Sequence, residues 1–327
     1  MAKKKLRVAL IGCGGNMRGA HVPRIQADGA VDLAAVADTS EDQARALMDR
    51  WGSEVPYYTD YKKMIKDEKL DAIMISSPHS MHYEQARFAM NNDLHVLVEK
   101  PLTISSKHTK SLITQAKKLS KILLVSYQRN YYAPHTYARE LVNTGKIGEL
   151  RGIVSYVTQN WGAASGWRMV PELSGGGMFM DTGSHLVAST LWITGLMPTR
   201  VSAFMDYAGR NVDINAVVNV HFKGGALGTL NTFGNASRHD ERIVIHGSEG
   251  CIVFHLHQWQ IKSVLVNDKP MEIPKRIKED TPDNAFFRMI RNGGQGYELP
   301  YFALAVAQVS EAAYVSLEKG APVKVAR

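Results

Sequence analysis

Five apolar runs alternate with helix-like segments in the first 127 residues. The runs are KLRVALIG (5–12), VDLAAVAD (31–38), LDAIMISS (70–77), LHVLVEK (94–100) and KILLVSY (121–127). The segments between them, such as 41–51 and 82–92, have helical spacing and many helix formers. Continuous apolar strands separated by helices predict a parallel sheet covered on both faces. Ligands bind such sheets at the carboxyl ends of the strands, so the residues that follow each strand become site candidates.

The pattern changes after residue 127. A helix is predicted over 133–144, and strand-like runs joined by turns follow at 150–161, 216–222, 226–233, 242–255 and 261–266. This order predicts an open, mostly antiparallel sheet. We therefore predict an α/β protein in which residues 1–127 form a doubly wound Rossmann domain that binds NAD. Residues 128–327 form a C-terminal α/β domain with a large, mostly antiparallel open sheet, for substrate binding and oligomerisation.

A glycine turn follows the first strand. Gly12, Gly14, Gly15, Asn16 and Met17 match G-x-G-x-x-G in its first two glycines, and Met17 occupies the third position. Gly12 permits a tight turn, and Gly14 lets a pyrophosphate approach the backbone at a helix N-terminus. The turn therefore predicts a dinucleotide site. The alternative is an ordinary strand–helix turn, because the motif is incomplete.

A carboxylate ends the second strand. Asp38 lies 24 residues after Gly14 and can accept both ribose hydroxyls of an adenosine. It repels a 2′-phosphate, and Thr39 and Ser40 follow without an adjacent arginine. The pattern predicts NAD rather than NADP. Considered alone, Asp38 is also compatible with a helix N-cap.

The next strand ends bring a family resemblance. The segment 71–103 contains a strand, the turn Pro78-x-x-x-His82, a helix, a strand and Glu99-Lys100-Pro101. Later motifs are GGGMFMDTGSH (175–185) and EAAYVSLEKGAPVKV (311–325). In this order they resemble the Gfo/Idh/MocA oxidoreductases, and the resemblance covers essentially the whole chain. His185 is followed by Leu186, where many members have a further acid.

Lys100 is the first predicted catalytic residue. It ends a buried strand where the nicotinamide is expected, and an ammonium there can hydrogen-bond a substrate hydroxyl and stabilise developing alkoxide charge. Glu99 positions the lysine or contacts the nicotinamide end, and the family implies a cis peptide bond before Pro101. The alternative is a surface ion pair. The remaining cofactor-binding residues predicted from the resemblance are Ser76, Ser77, Pro78, His82 and Gln128.

Asp181 and His185 are the other predicted catalytic residues. They lie four apart and share one face if the segment is helical. A histidine suits removal of a hydroxyl proton while hydride leaves the same carbon. Asp181 then positions the substrate or tunes the base. The alternative is a helix-capping Asp181 and a core His185. Predicted substrate-binding residues are Lys100, Asp181 and His185 together with Arg129, Trp167 and Arg168.

Composition limits the partners and the compartment. The chain has 327 residues and a net charge of +8, and its basic residues are scattered, so we predict no nucleic-acid partner. We predict no membrane span, because no apolar run approaches 18 residues. The first apolar run is short and is typical of a strand rather than of a signal peptide. The chain has two cysteines, which suits a reducing compartment, so we predict a cytoplasmic protein. His255 and His257 lack an evident third ligand, so we predict no metal.

The predicted function is transfer of hydride between NAD and a hydroxyl carbon of a sugar or polyol. Two alternatives remain open. In one, NAD is used transiently during hydrolysis or elimination, with no net redox change. In the other, the chain is a non-enzymatic NAD-dependent regulator. The resemblance also implies a homodimer or homotetramer formed through the C-terminal sheet.

Overall fold

A computed structural model describes residues 5–294 and 298–325. The chain divides into two compact units. Unit 1 comprises Met1–Thr103, Lys107–Ser126 and Asp280–Tyr301, and unit 2 comprises Ile104–Ser106, Tyr127–Glu279 and Phe302–Arg327. The segment around 280–301, which a single cut after residue 127 assigns to the second domain, thus belongs with the first.

The helices follow the amphipathic segments of the sequence. α2 begins at the residue after Ser40, whose hydroxyl accepts from the Gln43 N–H as an N-cap. The α-helices are α1 (Val22–Asp28), α2 (Glu41–Trp51), α3 (Tyr61–Asp67), α4 (His82–Asn91), α5 (Ser106–Lys118), α6 (Ala133–Asn143), α7 (Pro171–Ser174), α8 (Met178–Thr194), α9 (Pro282–Asn292) and α10 (Glu298–Lys319).

Unit 1 contains a six-stranded parallel sheet in the order β3-β2-β1-β4-β5-β6. Its strands are β1 (Leu6–Ile11), β2 (Val31–Ala37), β3 (Tyr57–Tyr58), β4 (Ala72–Ile75), β5 (His95–Val98) and β6 (Leu123–Val125). Apart from the edge strand β3 and the start of β2, the strands are almost wholly buried, which explains their continuous apolar sequences. The strand order reverses between β1 and β4, so a ligand crevice is expected at their carboxyl ends.

α9 completes the core of unit 1. Its Phe286 and Phe287 are fully buried among residues of β1, β2 and β4. Burial of two phenylalanine side chains contributes on the order of 3–6 kcal/mol. This apolar contact accounts for the return of the chain from unit 2 to unit 1.

Unit 2 contains a nine-stranded sheet in the order β14-β13-β12-β11-β7-β10-β9-β8-β15. Its strands are β7 (Leu150–Asn160), β8 (Pro198–Asp206), β9 (Asn215–Phe222), β10 (Leu227–Phe233), β11 (Asn235–Gly247), β12 (Cys251–His257), β13 (Gln260–Val266), β14 (Lys269–Pro270) and β15 (Val323–Lys324). The β7–β10 pair is parallel and the other pairs are antiparallel. The predicted fold class is confirmed.

α8 lies against one face of this sheet. Met178, Leu186 and Ile193 belong to the same buried cluster as the sheet residues Ile243 and Phe254. The helix is apolar on almost every side, as expected for a helix buried in a core. It therefore holds its few polar residues in fixed positions.

Candidate active site

The carboxyl edge of the unit 1 sheet gathers the predicted cofactor residues. Backbone hydrogen bonds continue past the strands: Gly12 N–H donates to Ala37 O (2.9 Å), and Ser76 N–H donates to Ile11 O (2.8 Å). Glu99 N–H likewise donates to Ile75 O (2.8 Å). The first residue after each of these strands is thus fixed at one edge, as the sequence pattern predicts.

The glycine turn has a backbone conformation and an open space that allow a phosphate to approach its N–H groups closely. Gly12 has φ +85°, and a Cβ there would lie 2.7 Å from backbone atoms of Ser76 and Ser77. A Cβ on Gly14 or Gly15 would meet no atom within 4 Å, so the space beside these two residues is open. The turn therefore fits the pyrophosphate of a dinucleotide.

Met17 replaces the third glycine without a packing defect. It begins a π-helical turn, Met17–His21, and its side chain is fully buried in the unit 1 core. A helix that begins with a wider turn leaves room for a side chain where the usual motif needs glycine. Asn16 precedes it, with Nδ2 3.5 Å from the Ser76 hydroxyl.

Asp38 closes the same turn from the second strand. Its carboxylate accepts from Cys13 N–H (2.7 Å) and from Ser40 N–H (2.9 Å). Because Ser40 caps α2, the N-cap alternative for Asp38 is excluded. Each carboxylate oxygen has a second lone pair, so Asp38 can still accept ribose hydroxyls.

An arginine distant in sequence from Asp38 hydrogen-bonds the same residue, Cys13. Arg18 donates from Nη1 to Cys13 O (2.7 Å) and to Gln43 Oε1 (2.6 Å). Asp38 thus accepts from the N–H of Cys13, and Arg18 donates to the carbonyl of the same residue. The residues next to Asp38 in the sequence do not reveal this cation, because Arg18 lies in the Met17–His21 turn, which follows β1 rather than β2.

We expect Asp38→Ala to raise the Kd for NAD and to relax discrimination against NADP by at least about tenfold, since loss of one charge-assisted contact is worth roughly 1.5–3 kcal/mol. Titration of each cofactor measures both constants. Addition of Arg18→Gln to Asp38→Ala should remove any gain for NADP, because Arg18 is the neighbouring cation. An unchanged NAD:NADP ratio in Asp38→Ala would show that other residues recognise the ribose.

Glu99 is buried in a network that begins elsewhere in the sequence. His21 donates from Nε2 to Glu99 Oε1 (2.9 Å) and from Nδ1 to Asp283 Oδ1 (2.6 Å). The side chains of His21 and Asp283 are 1% and 0% exposed, and that of Glu99 is 14% exposed. Arg24 adds a second contact to Asp283 at 3.2 Å. The surface ion pair considered for Glu99 is therefore excluded.

Electrostatics keep this network charged. Burial disfavours imidazolium, but Asp283 and then Glu99 outweigh burial and raise the pKa of His21 to about 10. Burial alone would raise the pKa of Glu99, yet its contacts with His21, Lys100 and Ser126 hold that pKa well below its usual range. Near neutral pH, an imidazolium therefore joins two carboxylates.

Lys100 follows this network directly. Its backbone N–H donates to Glu99 Oε2 (3.1 Å), and its side chain is half-buried. The Lys100–Pro101 peptide bond is cis, as the family resemblance implies. Glu99 thus fixes the backbone from which Lys100 projects, and its role in positioning the lysine side chain stays a prediction.

His82 joins two of the predicted cofactor loops. Its ring nitrogens lie 2.9 Å from Pro101 O and 2.9 Å from Ser77 O. Burial lowers the pKa of His82, so the neutral ring donates its one N–H to one of these two carbonyls. The loop Ser76–Pro78 is in this way held next to the Lys100–Pro101 turn.

α8 positions the second predicted catalytic group. Asp181 and His185 are one helical turn apart on it, and His185 is partly exposed whereas the residues before and after it are buried. Arg168 donates from Nε to Asp181 Oδ2 (2.8 Å), and its guanidinium lies 4.4 Å from the centre of the Trp167 ring. The structure therefore brings the predicted residues Trp167, Arg168 and Asp181 together.

A different aspartate caps α8. Asp213 accepts from the backbone N–H groups of Gly177 (2.7 Å) and Phe179 (2.8 Å) and from the Tyr314 hydroxyl (2.6 Å). The capping alternative for Asp181 is therefore excluded. A Cβ on Gly177 would lie 1.9 Å from Asp213 O, which explains the last glycine of the run.

We expect Asp213→Ala to lower the free energy of unfolding by about 1–2 kcal/mol, because two N–H groups at the start of α8 lose their acceptor. Urea denaturation measures this change. Asp206→Ala is the control, since Asp206 accepts hydrogen bonds at an exposed turn and should cost well under that amount. Equal losses for the two variants would contradict the capping role.

Arg129 is fixed in a buried ion pair. Both guanidinium Nη atoms donate to the Glu241 carboxylate, and the Nη2–Oε2 distance is 2.7 Å. The two side chains are 3% and 0% exposed. Gln128 begins the same 3₁₀ turn, Gln128–Tyr131. Contact of Gln128 with cofactor and of Arg129 with substrate stay predictions.

Several residues of these clusters escaped the sequence interpretation. Their partners lie far away in the chain: 262 residues separate His21 from Asp283, and 112 separate Arg129 from Glu241. His21 could have been noticed in the sequence as a candidate site residue, because it lies six residues after Gly15, the last glycine of the turn. Arg18 and Asp213 were missed as well.

The structure adds two negative findings. Within residues 5–294 and 298–325, no group of three histidine, cysteine or carboxylate side chains could hold a metal ion. Among those residues, no helix is both long and apolar enough to cross a membrane. The cytoplasmic location stays a prediction.

Two family profiles match most of the chain. The oxidoreductase family with an NAD-binding Rossmann fold matches residues 6–127. The Gfo/Idh/MocA C-terminal domain matches residues 135–253. Together they include the glycine turn, Asp38, Lys100 and the Asp181–His185 segment.

Individual proteins show the same similarity. A D-glucoside 3-dehydrogenase of Escherichia coli is 28% identical over 197 residues, which is 60% of this chain and 56% of that enzyme. A myo-inositol 2-dehydrogenase of Thermotoga maritima is 29% identical over 260 residues, or 76% of this chain and 74% of that enzyme. The crystal structure of an aldose-aldose oxidoreductase from Caulobacter crescentus, complexed with glycerol, has a TM-score of 0.86 at 21% identity and covers 98% of this chain and 100% of that one. The Rossmann and C-terminal profiles both match, in the expected order, and this confirms the predicted resemblance and the NAD cofactor. This chain therefore belongs to the Gfo/Idh/MocA family of NAD-using oxidoreductases.

Proposed function

We propose that this protein is a dehydrogenase that oxidises a CH–OH group of a sugar or polyol, or reduces the corresponding carbonyl, with NAD. The observation that carries the proposal is that the same chain has a dinucleotide turn in unit 1 and a partly exposed histidine on a buried helix in unit 2. Bound NAD supplies the hydride acceptor. The named activities of the similar glucoside and inositol dehydrogenases support the same substrate class.

Lys100 is proposed to bind the reacting hydroxyl. An ammonium donates a hydrogen bond to that oxygen and stabilises negative charge that develops on it as the proton leaves. The buried Glu99–His21–Asp283 network limits movement of the backbone at Lys100. Such a fixed donor needs little reorganisation during the reaction.

His185 is proposed to accept the hydroxyl proton. A histidine has the proton affinity for this task near neutral pH. Asp181 is one turn away on the same face and is held by Arg168, so we assign it to orientation of the substrate or of the imidazole. Trp167 and Arg168 are assigned to the sugar, together with Arg129.

The experiment follows NADH formation at 340 nm with inositols, aldoses, uronic acids, amino sugars and glycosides, combined with mass spectrometry of the products. NADH together with a keto product is the expected result. Sugar conversion without NADH would instead establish transient oxidation. Binding of NAD without conversion of any sugar would favour a regulator and contradict the proposal.

The open face of the unit 2 sheet is proposed as a subunit interface. Val154 on β7, Leu227 on β10 and Phe204 on β8 share this face by strand register and are 47%, 60% and 71% exposed. Exposed apolar side chains on one sheet face are typical of association surfaces.

Light scattering should give the mass of a dimer or tetramer, and Phe204→Asp should shift the measured mass toward that of the monomer. A monomeric wild type at micromolar concentration would contradict this assignment.

A further inference from the structure

A tryptophan at the tip of the β12–β13 hairpin lies beside His185. Gln258 and Trp259 have φ values of +48° and +66°, as in two-residue hairpin turns with both central residues left-handed. The centres of the Trp259 and His185 rings are 5.8 Å apart, and the ring planes are inclined at 58°. Trp259 is nevertheless 40% exposed. Part of an aromatic side chain is therefore accessible next to the proposed base.

The indole is held from other directions. The Arg129 guanidinium lies 5.4 Å from the centre of the Trp259 ring, and the His239 ring lies 4.7 Å from it. Arg129 is itself fixed by buried Glu241. A side chain that is already confined loses little conformational entropy when a ligand contacts it.

The two arginines assigned to the sugar are each paired with a carboxylate. Glu241 neutralises Arg129 beside Trp259, and Asp181, which is on the same helix as His185, neutralises Arg168. Burial lowers the pKa of His239, so this ring is neutral near pH 7. Arg129 and Arg168 thus already have carboxylate partners. A sugar acid could bind either arginine only by weakening an existing ion pair.

We propose that Trp259 is the stacking platform for an uncharged sugar ring whose hydroxyl reaches His185. A cyclic sugar or inositol has a face of C–H groups that can lie flat on an indole, whereas an open-chain polyol has no fixed face. This proposal rests on the function proposed above and narrows its substrate class to neutral ring sugars, excluding sugar acids and open-chain polyols.

The test measures binding to the NADH-loaded protein by calorimetry, with methyl β-glucopyranoside, myo-inositol, glucitol and glucuronate as probes. We expect one of the two neutral rings to bind more tightly than glucitol and glucuronate. Trp259→Ala should weaken that binding by about tenfold and change glucitol binding by less than about twofold. Trp259→Phe should restore most of the affinity, because an aromatic face remains. Gln260→Ala, an exposed change in the same hairpin, is the control and should leave binding unchanged.

Failure of the proposal is distinct from failure of the proposed function. Equal weakening of ring and open-chain probes in Trp259→Ala, tighter binding of glucuronate, or no binding of either neutral ring would overturn the stacking role. Ring binding that depends on Trp259, with no NADH formed from any sugar, would retain the platform and contradict the dehydrogenase.

Discussion

Lys100→Met and His185→Ala are each expected to lower kcat by about 10²–10⁴-fold while the Kd for NAD changes little. Methionine keeps the length of the lysine side chain but removes the donor that stabilises alkoxide charge. Alanine removes the proton acceptor, and a positioned acid or base contributes a factor of this size. Steady-state assays with the active sugar and fluorescence titration of NADH measure the two effects separately.

Matched variants distinguish these roles from loss of charge or of an imidazole in general. Lys118→Met and His108→Ala on α5 change an exposed lysine and a partly exposed histidine that have no proposed contact with the substrate, and both should keep wild-type kcat. A substrate KM that rises in Lys100→Met would fit direct contact with the hydroxyl. Near-normal turnover in both Lys100→Met and His185→Ala would remove the catalytic assignment.

His21→Leu is expected to lower the free energy of unfolding by about 3–5 kcal/mol. The change leaves the Glu99 and Asp283 carboxylates buried without their shared cation, and loss of one partner of a buried ion pair costs about this much. Urea denaturation measures the loss. Arg24→Met is the control, because Arg24 contacts Asp283 from a position that is 23% exposed and should cost far less.

A rescue variant keeps this prediction testable if His21→Leu does not fold. Neutralising both carboxylates in the same chain, with Glu99→Gln and Asp283→Asn, should recover much of the stability, because no buried charge remains unpaired. Equal stability of wild type and His21→Leu would contradict the network. Failure of the triple variant to recover any stability would assign the loss to packing instead.

The same network predicts a pH dependence. The folded-state pKa of His21 is raised from 6.5 to about 10, so its contribution is complete below pH 6.5 and is lost as the pH rises towards 10. The depressed pKa of Glu99 contributes stability above pH 4.5, which is lost as the pH falls below that value. The stability difference between wild type and His21→Leu should therefore be largest near pH 4.5–6.5 and shrink above it. A difference that stays constant from pH 6 to pH 10 would contradict the charged state of His21.

Local patterns were enough to predict the parallel sheet and its ligand edge. Buried parallel strands require continuous apolar sequence, so the end of each apolar run indicates where the strand ends. Asp38 is the first residue after β2, and Glu99 and Lys100 are the first two after β5. The turn at Gly12 was also predictable, because a glycine directly after an apolar run is a turn signal. The structure gives the physical reason for that glycine: a φ of +85° and close contact with the Ser76 backbone. Contact of the predicted site residues with cofactor and substrate stays a prediction.

Long-range partners were not predictable from the sequence by itself. Nothing near His21 indicates that Asp283 will pack against it, because the contact depends on burial of α9 in the unit 1 core. Similarly, Trp259 lies in a hairpin turn whose two positive φ angles are carried by glutamine and tryptophan rather than by glycine or asparagine. Tertiary packing determined both positions, and one-dimensional patterns do not contain that information.

A single-turnover reaction of NAD-loaded protein with each sugar of the panel, followed at 340 nm in wild type, Lys100→Met and His185→Ala, tests the dehydrogenase assignment most directly. We expect stoichiometric NADH and a keto sugar with at least one neutral ring in the wild type, and a rate lower by about 10²-fold or more in each variant. Rapid NADH formation in both variants, or sugar conversion by the wild type with no NADH released, would contradict this assignment.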